Sequence, residues 1–271
     1  MNHQNVINNI RNILSEYVSG NNLKSLVLGI SGGIDSALCA VLANPVCKNL
    51  KIPLMGRSIP VASNRQDEIT RAEAIGELFC TDFKKTDLTN WYESYLSETG
   101  ETENDDYATK LRLGNVKARI RMIYLYDTAK KTKGMVLSTD NYTEYLLGFW
   151  TLHGDVGDFG MIQNLWKSEV YDIAKYIVKN ELQSGAEKKA LQECIDGVPT
   201  DGLGITSSDL EQLGAESYEQ VDGILQSYLN YKANPEPVDD EVLNHPVIKR
   251  HLASGFKRNN PFNISRKETG L

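Results

Sequence analysis

The most constraining feature of this chain is a short apolar run that ends in a turn of small residues and continues as a second apolar stretch. Residues 25–30 have the length and composition of a buried strand, and the pattern Ser-Gly-Gly-x-Asp-Ser follows at residues 31–36. Residues 37–42 continue with a pattern compatible with a helix. A strand joined to a helix in this way predicts an α/β fold with the turn at the carboxyl edge of the sheet.

The composition of the turn predicts a phosphate-binding site. Gly32 and Gly33 let backbone N–H groups approach an anion without an intervening Cβ, and the following helix directs the positive end of its dipole to the same point. Ser31 and Ser36 add hydroxyl donors. Asp35 supplies a carboxylate where a phosphate-bound cation would lie.

Two better-known phosphate motifs are excluded by spacing. No lysine follows the second glycine as in the ATPase loop G-x-x-x-x-G-K-[ST], and the spacing G-x-G-x-x-G of dinucleotide-binding folds is absent. The pattern resembles the pyrophosphate loop of the N-type ATP pyrophosphatases, which cut ATP between its α- and β-phosphates. The alternative is a turn that uses Gly and Ser only for geometry, and the complete pattern in a strand–turn–helix context favours phosphate binding.

Composition restricts the class of protein further. The 271 residues carry a net charge of −7, and the pI near 5.2 argues against a broad nucleic-acid surface. The polar N-terminus and the absence of a long apolar run predict a soluble, cytoplasmic protein with no membrane partner. The cysteines form no C-x-x-C pair and are expected to be reduced thiols: Cys39, Cys47, Cys80 and Cys194.

Strand-like and helix-like segments alternate along the first two thirds of the chain. This order predicts a doubly wound parallel sheet, of the adenine nucleotide alpha-hydrolase-like type, with helices on both faces. One domain is expected over 1–271, with 205–271 as a mainly helical C-terminal extension. Further strands are predicted at 52–59, 81–83 and 135–138, and helices from 6 to Gly20, from the turn to about Ala43, from a Ser63 cap to 79, and over 91–96, 107–130 and 167–178.

Polar residues after the fourth predicted strand repeat the arrangement after the first. Thr139 and Asp140 follow a buried run, and Glu144 lies one helical turn beyond Asp140. Asp35 and Glu144 together would give Mg²⁺ two carboxylates and leave its other positions to phosphate and water. Glu144 is equally explained as a first-turn acid that complements its helix dipole, and both interpretations stay open.

Basic residues at two places are candidates for contact with a phosphate. Arg119 and Arg121 lie two apart on a predicted helix that also carries Lys117, so only one is expected to reach a given phosphate. A solvated basic helix face explains the same spacing and is favoured by spacing alone. Lys167 opens a helix and either neutralises a phosphoryl group or is an exposed first-turn lysine. His153 is a candidate base or ligand, although a lone loop histidine more often has neither role.

Several motifs, in order along most of the chain, resemble those of the ammonia-dependent NAD synthetases that lack a glutaminase domain. The ordered set is specific, although each motif after the first is weak alone. The matching stretches are the loop at 31–36, the K-A-R-x-R-M helix at 114–122, T-D-x-x-x-E at 139–144, G-F-x-T-K-x-G-D-G-G-x-D at 148–158, P-T-A-D at 199–201, L-G-x-x-Y-x-x-I-D at 213–222 and H-K-R at 256–258.

The resemblance implies roles for individual residues and a homodimer with the dinucleotide near the subunit interface. ATP contacts are implied for Gly29, Ser31, Gly32, Gly33, Asp35, Ser36, Thr139, Lys167 and Thr200. Mg²⁺ ligands are implied at Asp35 and Glu144, and contacts to nicotinic acid adenine dinucleotide at Arg119, Asp158 and Lys257. The residues implied at the reacting centre are Asp35, Lys167 and Asp155.

Three positions depart from the family pattern, and all lie on the dinucleotide side. Leu152 stands where the family has lysine, and Phe256 stands where it has histidine. The loop after Asp155 is one residue shorter, so Asp158 is matched across a gap. The ATP side is intact, and the acceptor acid is therefore the less certain half of the prediction.

The expected reaction is a two-step amide synthesis. The carboxylate of nicotinic acid adenine dinucleotide attacks the α-phosphorus of ATP, pyrophosphate leaves, and ammonia displaces AMP from the mixed anhydride. Two alternatives remain: an ATP pyrophosphatase that amidates or thiolates another acceptor, including tRNA, and a nucleotide sensor without turnover. A cover that excludes water is expected from residues 97–106, 197–204 or 257–266.

Overall fold

The computed structural model describes residues 2–62, 64–198, 209–234 and 240–270. The five strands are β1 (Leu26–Gly29), β2 (Leu54–Ser58), β3 (Asp82–Lys85), β4 (Met135–Ser138) and β5 (Phe159–Gly160). The helices of the first part are α1 (His3–Gly20), α2 (Ile34–Leu50), α3 (Gln66–Phe79), α4 (Thr89–Thr99), α5 (Tyr107–Thr132) and α6 (Tyr142–Leu147). The later helices are α7 (Lys167–Asn180), α8 (Gly185–Asp196), α9 (Asp209–Leu213), α10 (Tyr218–Ala233), α11 (Asp240–Asn244), α12 (Pro246–Ala253) and α13 (Gly255–Arg258).

All five strands run parallel, in the order β3-β2-β1-β4-β5. The chain builds outward from β1 through β2 to β3 and then crosses to the other side of β1. Leu26 of β1 is therefore level with Leu54 on one side and with Met135 on the other. This reversal opens a crevice at the carboxyl ends of β1 and β4, where open parallel sheets bind ligands.

Helices cover both faces of the sheet. Side chains of successive strand residues point to opposite faces, so each strand contributes to two hydrophobic cores. Leu26 and Leu28 of β1 pack into a large cluster with α1, α2, α3, α7 and α8. Val27, between them, faces the opposite cluster, which α5 and residues near α4 complete. The predicted doubly wound fold is confirmed.

Three elements differ from the sequence prediction. Helix α2 continues through Pro45 to Leu50 instead of ending near Ala43, because Pro45 lies on the solvent side while Val46 and Cys47 are buried. Strand β5 was not predicted, since two residues show no periodicity. The predicted cap Ser63 lies outside the described residues, and α3 begins at Gln66.

The segment 97–106, one of the three candidate covers, is partly helical and held in place by hydrogen bonds. Helix α4 extends to Thr99, and Glu103 accepts hydrogen bonds from the Tyr92 hydroxyl at 2.6 Å and from Lys117 Nζ at 2.8 Å. None of its residues lines the large cavity in the crevice.

After β5, the described elements are all helices. A third apolar cluster joins α6 to α10 and α12, with Leu147, Val221 and Val247 fully buried in it. This cluster attaches the C-terminal helices to the end of the sheet where the crevice lies. No helix in the ranges that the structure describes is both long and apolar enough to span a bilayer.

Candidate active site

The glycine turn between β1 and α2 is shaped by its own side chains. Ser31 Oγ accepts from the Gly33 N–H, and Ser36 Oγ accepts from the Ser31 N–H, each at 3.2 Å. Gly33 caps α2 without a side-chain acceptor, which leaves the first-turn N–H groups of the helix without an internal partner. Gly32 has φ +86°, and α3 crosses directly above it.

We predict opposite outcomes for alanine at the two glycines. A Cβ on Gly32 would lie 2.1 Å from the Glu68 carbonyl oxygen, in a backbone region that L-residues avoid. A Cβ on Gly33 would meet only Ser31 Oγ, at 3.4 Å. Gly32→Ala should lower the free energy of unfolding by about 2 kcal/mol or more, and Gly33→Ala by no more than about 1 kcal/mol. Urea unfolding of both variants measures the difference; equal losses would contradict it.

Arg71, which no motif in the sequence singled out, holds this turn from α3. Its Nε donates to the Gly32 carbonyl oxygen at 3.0 Å, and its Nη1 donates to Asp67 Oδ2 at 2.9 Å. The guanidinium therefore fixes the orientation of the Gly32 carbonyl group in the turn. No spacing rule links Arg71 to the turn, because the contact joins elements 39 residues apart.

A buried lysine lies between the two predicted metal carboxylates. Lys167 Nζ donates to Asp35 Oδ2 and, at 3.0 Å, to Glu144 Oε1. The lysine side chain is 4 % exposed, and the two carboxylates are 17 % and 19 % exposed. The alternative of an exposed first-turn lysine is therefore wrong, and Asp35, Glu144 and Lys167 form one charged cluster.

The electrostatics of this cluster follow from its burial. Burial raises the pKa of Glu144 to about 8, although the Lys167 ammonium opposes the shift. Burial alone would lower the pKa of Lys167, but the Asp35 and Glu144 carboxylates outweigh it and raise that pKa well above its usual value. The lysine consequently stays protonated, as a fixed positive charge beside the turn.

Strand β4 and helix α6 present Glu144 to the turn. Asn141 caps α6, with its Oδ1 accepting from the Glu144 N–H at 3.0 Å, and its Nδ2 donates to Asp35 Oδ1 at 2.9 Å. Asp140 beside it is buried, which raises its pKa to about 6, and it accepts from Ser138 Oγ at 2.7 Å. Asn141 thus links two strand ends that the sequence presents as separate motifs.

A cavity of about 670 Å³ occupies the crevice and brings most predicted residues together. Ser36 does not line it but supports the turn from behind, and Thr200 lies outside the described residues. The predicted residues on its walls are Gly29, Ser31, Gly32, Gly33, Asp35, Arg119, Thr139, Glu144, Asp155, Lys167 and Lys257.

One part of the cavity wall carries both substitutions relative to the family pattern. Leu152 and Phe256 line the cavity, and Phe256 is 65 % exposed. Arg119 Nε donates to the Leu152 carbonyl oxygen at 3.2 Å, and Lys257 Nζ donates to the Gly148 carbonyl oxygen at 2.7 Å. Burial lowers the pKa of Lys257. This wall therefore combines two cations with two apolar side chains.

The two aspartates of the shortened loop have different surroundings. Asp155 lines the cavity and accepts from the Thr151 N–H at 2.6 Å. Asp158 does not line it: its Oδ2 accepts from the Val136 N–H and its Oδ1 from the Tyr126 hydroxyl, both at 2.9 Å. In this arrangement Asp158 continues the pairing of β4 and β5, and its contact with the dinucleotide stays a prediction.

The remaining basic candidates divide into cavity and packing residues. Arg119 and Arg121 both line the cavity, and the expectation that only one of them reaches a given phosphate stays a prediction. Arg121 donates to the Ile59 carbonyl oxygen at 3.0 Å. Lys117 is buried and pairs with Glu103, so its contribution is structural. His153 lies outside this cavity.

The donor set near the turn fits a magnesium ion associated with phosphate. Asp35 and Glu144 both contact one ammonium group, so the two carboxylates lie close to each other beside the turn. No group of three or more His, Cys, Asp or Glu residues in the described ranges forms a complete metal cage. Magnesium commonly uses one or two carboxylates, with phosphate oxygens and waters as its other ligands.

The fold and this geometry define a class: an α/β protein with a glycine turn and a cluster of charged side chains at the switch point of a parallel sheet, an arrangement suited to phosphate. Comparison with known proteins gives the family. The model for NAD synthase matches residues 6–261. The chain belongs to the NAD synthase family, and the predicted family and enzyme class, a ligase, are confirmed.

Similar proteins agree with this assignment. The chain is 30 % identical to an NH(3)-dependent NAD(+) synthetase of Thermoplasma acidophilum over 248 residues, which is 90 % of this chain and 91 % of that protein. It is 31 % identical to the NH(3)-dependent NAD(+) synthetase of Finegoldia magna over 258 residues, 95 % of this chain and 98 % of that protein. The structure of an NMN synthetase from Francisella tularensis superposes with a TM-score of 0.79 and 25 % identity, covering 98 % of this chain and 99 % of that one.

Proposed function

We propose that the protein amidates the nicotinate carboxylate of nicotinic acid adenine dinucleotide with ammonia, using ATP and releasing AMP and pyrophosphate. The observation that carries the proposal is the buried Asp35–Lys167–Glu144 cluster beside the glycine turn, in a chain that matches the family over residues 6–261. A sensor that only binds a nucleotide has no use for a lysine held between two carboxylates at the phosphates.

The chain's contribution to the first step is alignment of two anions that repel each other. The turn N–H groups at Gly32 and Gly33 and the α2 N-terminus would hold the departing pyrophosphate. The Lys167 ammonium would neutralise charge that develops on the phosphates as the carboxylate attacks. Positioning of this kind contributes on the order of 7–11 kcal/mol to lowering a barrier.

Mg²⁺ is the proposed metal, with Asp35 and Glu144 as its protein ligands. When bound, it would neutralise the phosphate oxygens of ATP and screen the two carboxylates from each other. The donor set supports this proposal, because carboxylate oxygens are the ligands that magnesium prefers. Thr139, Lys167 and Thr200 are proposed as further ATP contacts.

Arg119 and Lys257 are proposed to receive the acceptor, with Asp155 near the reacting carboxylate. Their positions on the wall of the cavity that the glycine turn also lines support this assignment. Asp158 is the weakest member of the set, since both of its oxygens accept hydrogen bonds within the protein.

The decisive experiment measures pyrophosphate release from ATP with each substrate omitted in turn. Release should require both nicotinic acid adenine dinucleotide and Mg²⁺, and NAD should form only when ammonia is added. Release that does not depend on the dinucleotide would contradict the proposed acceptor and favour another acid. ATP binding without any release would favour a sensor.

Nicotinic acid mononucleotide is a second candidate acceptor. Leu152 and Phe256 place apolar groups where the family pattern has lysine and histidine, so the half of the dinucleotide that those polar residues would contact has less support here. The same assay with the mononucleotide compares the two acceptors directly. A kcat/KM higher for the mononucleotide would replace the dinucleotide in the proposed reaction.

We predict that Leu152→Lys leaves the KM for the dinucleotide unchanged or lowers it by up to about 10-fold. The new ammonium would lie next to Arg119, which donates to the carbonyl oxygen of residue 152. One added charge-assisted hydrogen bond to the substrate would contribute about 1.4 kcal/mol to binding. Leu152→Met, which keeps the volume and adds no charge, is the matched control. If the lysine variant alone binds the dinucleotide at least about 10-fold more weakly, the pocket is built for a different acceptor.

We further propose a cytoplasmic homodimer that folds as one domain over 1–271, with 205–271 as its helical extension. Support for the dimer comes from α5, which exposes Tyr107, Leu111, Ile123 and Tyr126 by between 38 % and 59 %. Tyr107 and Leu111 also line the cavity, so a partner subunit at this face would lie next to the acceptor. Free thiols at all four cysteines support the compartment. A mass measurement in solution tests the dimer.

A further inference from the structure

The N-terminus of α7 is capped by side chains of other helices. Its cap residue, Trp166, has no side-chain oxygen to accept from the first turn. The Lys167 N–H donates instead to Thr143 Oγ1 of α6, and the Ser168 N–H donates to Asp222 Oδ2 of α10, each at 2.9 Å. The backbone that carries the central lysine is therefore fixed from outside its own helix.

A single carboxylate joins these contacts into one unit. Asp222 Oδ1 accepts from Thr143 Oγ1 at 2.5 Å while its Oδ2 accepts from Ser168. Both oxygens accept hydrogen bonds, and Asp222 is only 2 % exposed. Thr143 is fully buried and immediately precedes Glu144. The hydrogen bonds of Asp222 therefore hold the backbone of both Glu144, a proposed metal ligand, and Lys167.

Helix α10 also contacts the lysine side chain directly. Tyr218 lies one turn before Asp222 on α10, and the Lys167 Nζ is 5.4 Å from the centre of its ring. These two residues are the Tyr and Asp of the stretch at 213–222, for which the sequence suggested a resemblance but no role. Buried Val221 and Leu225 attach α10 to α6 beneath them.

We infer that Asp222 is a positioning residue of the active site, which holds Lys167 and Glu144 at the phosphates through Thr143 and the α7 N-terminus. The C-terminal extension is thereby a part of the catalytic machinery. This inference rests on the role proposed for Lys167. Because Asp222 contacts no substrate itself, its effect reaches the reaction only through the geometry of the cluster.

The test compares Asp222→Asn with Thr143→Val and Thr143→Ser at a temperature well below their unfolding transitions. An amide nitrogen cannot accept a hydrogen bond, and valine removes the hydroxyl at similar volume. We expect kcat to fall by about 10- to 100-fold in the first two variants, as for other residues that orient a catalytic group. The KM for ATP should change by less than about threefold, and Thr143→Ser should retain most of the activity.

A double variant separates positioning from a general loss of stability. Asp222→Asn and Thr143→Val disrupt the same hydrogen-bonded unit and share the Thr143–Asp222 hydrogen bond, so the kcat of the double variant should be close to that of the single variants. Glu219→Gln, an exposed acid on the same helix, is the matched control and should behave as wild type. If Asp222→Asn does not fold, the Thr143→Val and Thr143→Ser pair provides the same comparison.

The positioning role of Asp222 and the proposed function would be contradicted by different results. Normal kcat in Asp222→Asn and Thr143→Val, with only a lower melting temperature, would overturn the positioning role and leave the proposed function intact. Multiplicative losses in the double variant would also overturn it. A wild-type protein that releases no pyrophosphate with any acceptor would instead contradict the proposed function itself.

Discussion

Asp35→Ala should reduce turnover by about 10²- to 10³-fold or more while the chain still folds. Asp35 contacts both Lys167 and Asn141 at the glycine turn, and it is a proposed metal ligand. The alanine variant lacks a carboxylate at the proposed phosphate site, and Lys167 loses one of its two ion-pair partners. Steady-state assays at saturating ATP and magnesium measure the effect.

The fold should survive Asp35→Ala because Lys167 keeps its contact with Glu144. Circular dichroism and thermal melting check this point. Asp172→Ala, at an exposed position of α7, removes an equal charge and should not alter turnover. Activity of Asp35→Ala within a few-fold of wild type would show that the metal assignment is wrong.

Lys167→Ala should lose both activity and stability. Without the ammonium, Asp35 and Glu144 face each other as like charges in a partly buried site once the pH exceeds the pKa of Glu144, and breaking such a pair then costs about 3 kcal/mol. Turnover should fall by about 10²- to 10³-fold, because the charge opposite the phosphates is lost. Urea unfolding and acceptor-dependent pyrophosphate release measure the two effects.

The stability loss in Lys167→Ala should depend on pH. The pKa of Glu144 is already raised to about 8 from its usual 4.5, and removal of the lysine raises it further. The native state then holds a proton that the unfolded chain has released, so native stability rises as the pH falls. The loss should be largest above about pH 8 and smaller near pH 5.

The double variant Lys167→Met/Glu144→Gln distinguishes the two roles of the lysine. Neutral side chains of similar volume remove the repulsion, so most of the stability should return while activity stays lost. Recovery of activity would contradict a catalytic role for Lys167. A double variant as unstable as Lys167→Ala would mean that repulsion between the carboxylates is not the cause.

Local sequence determined the parts of the site that lie within one element and its next turn. The apolar run before Gly29, the two glycines and Asp35 predict a strand, a phosphate turn and a helix, because these depend on chain conformation alone. Strand β4 was predicted with its observed limits for the same reason, as a buried run ended by polar residues. The helix positions of Glu144 and Lys167 also followed from local pattern.

The sequence left open which interpretation of those residues holds, because burial is a property of contacts between distant segments. Lys167 in a first turn is equally compatible with solvent and with a buried ion pair. Only the parallel order β3-β2-β1-β4-β5 brings the ends of β1 and β4 together and places the lysine beside Asp35, 132 residues away in the chain. The contacts that Arg71 and Asp222 make with the site likewise depend on the tertiary structure.

The sequence by itself thus determined the glycine turn, with an acidic residue beside it, because this turn depends only on local backbone geometry. Tertiary structure decided the rest, which is the enclosure of Lys167 between Asp35 and Glu144 and its support from α10. The physical reason is that a charged group acquires its protonation state and position from the desolvation and partners around it. Those are supplied by elements far apart along the chain.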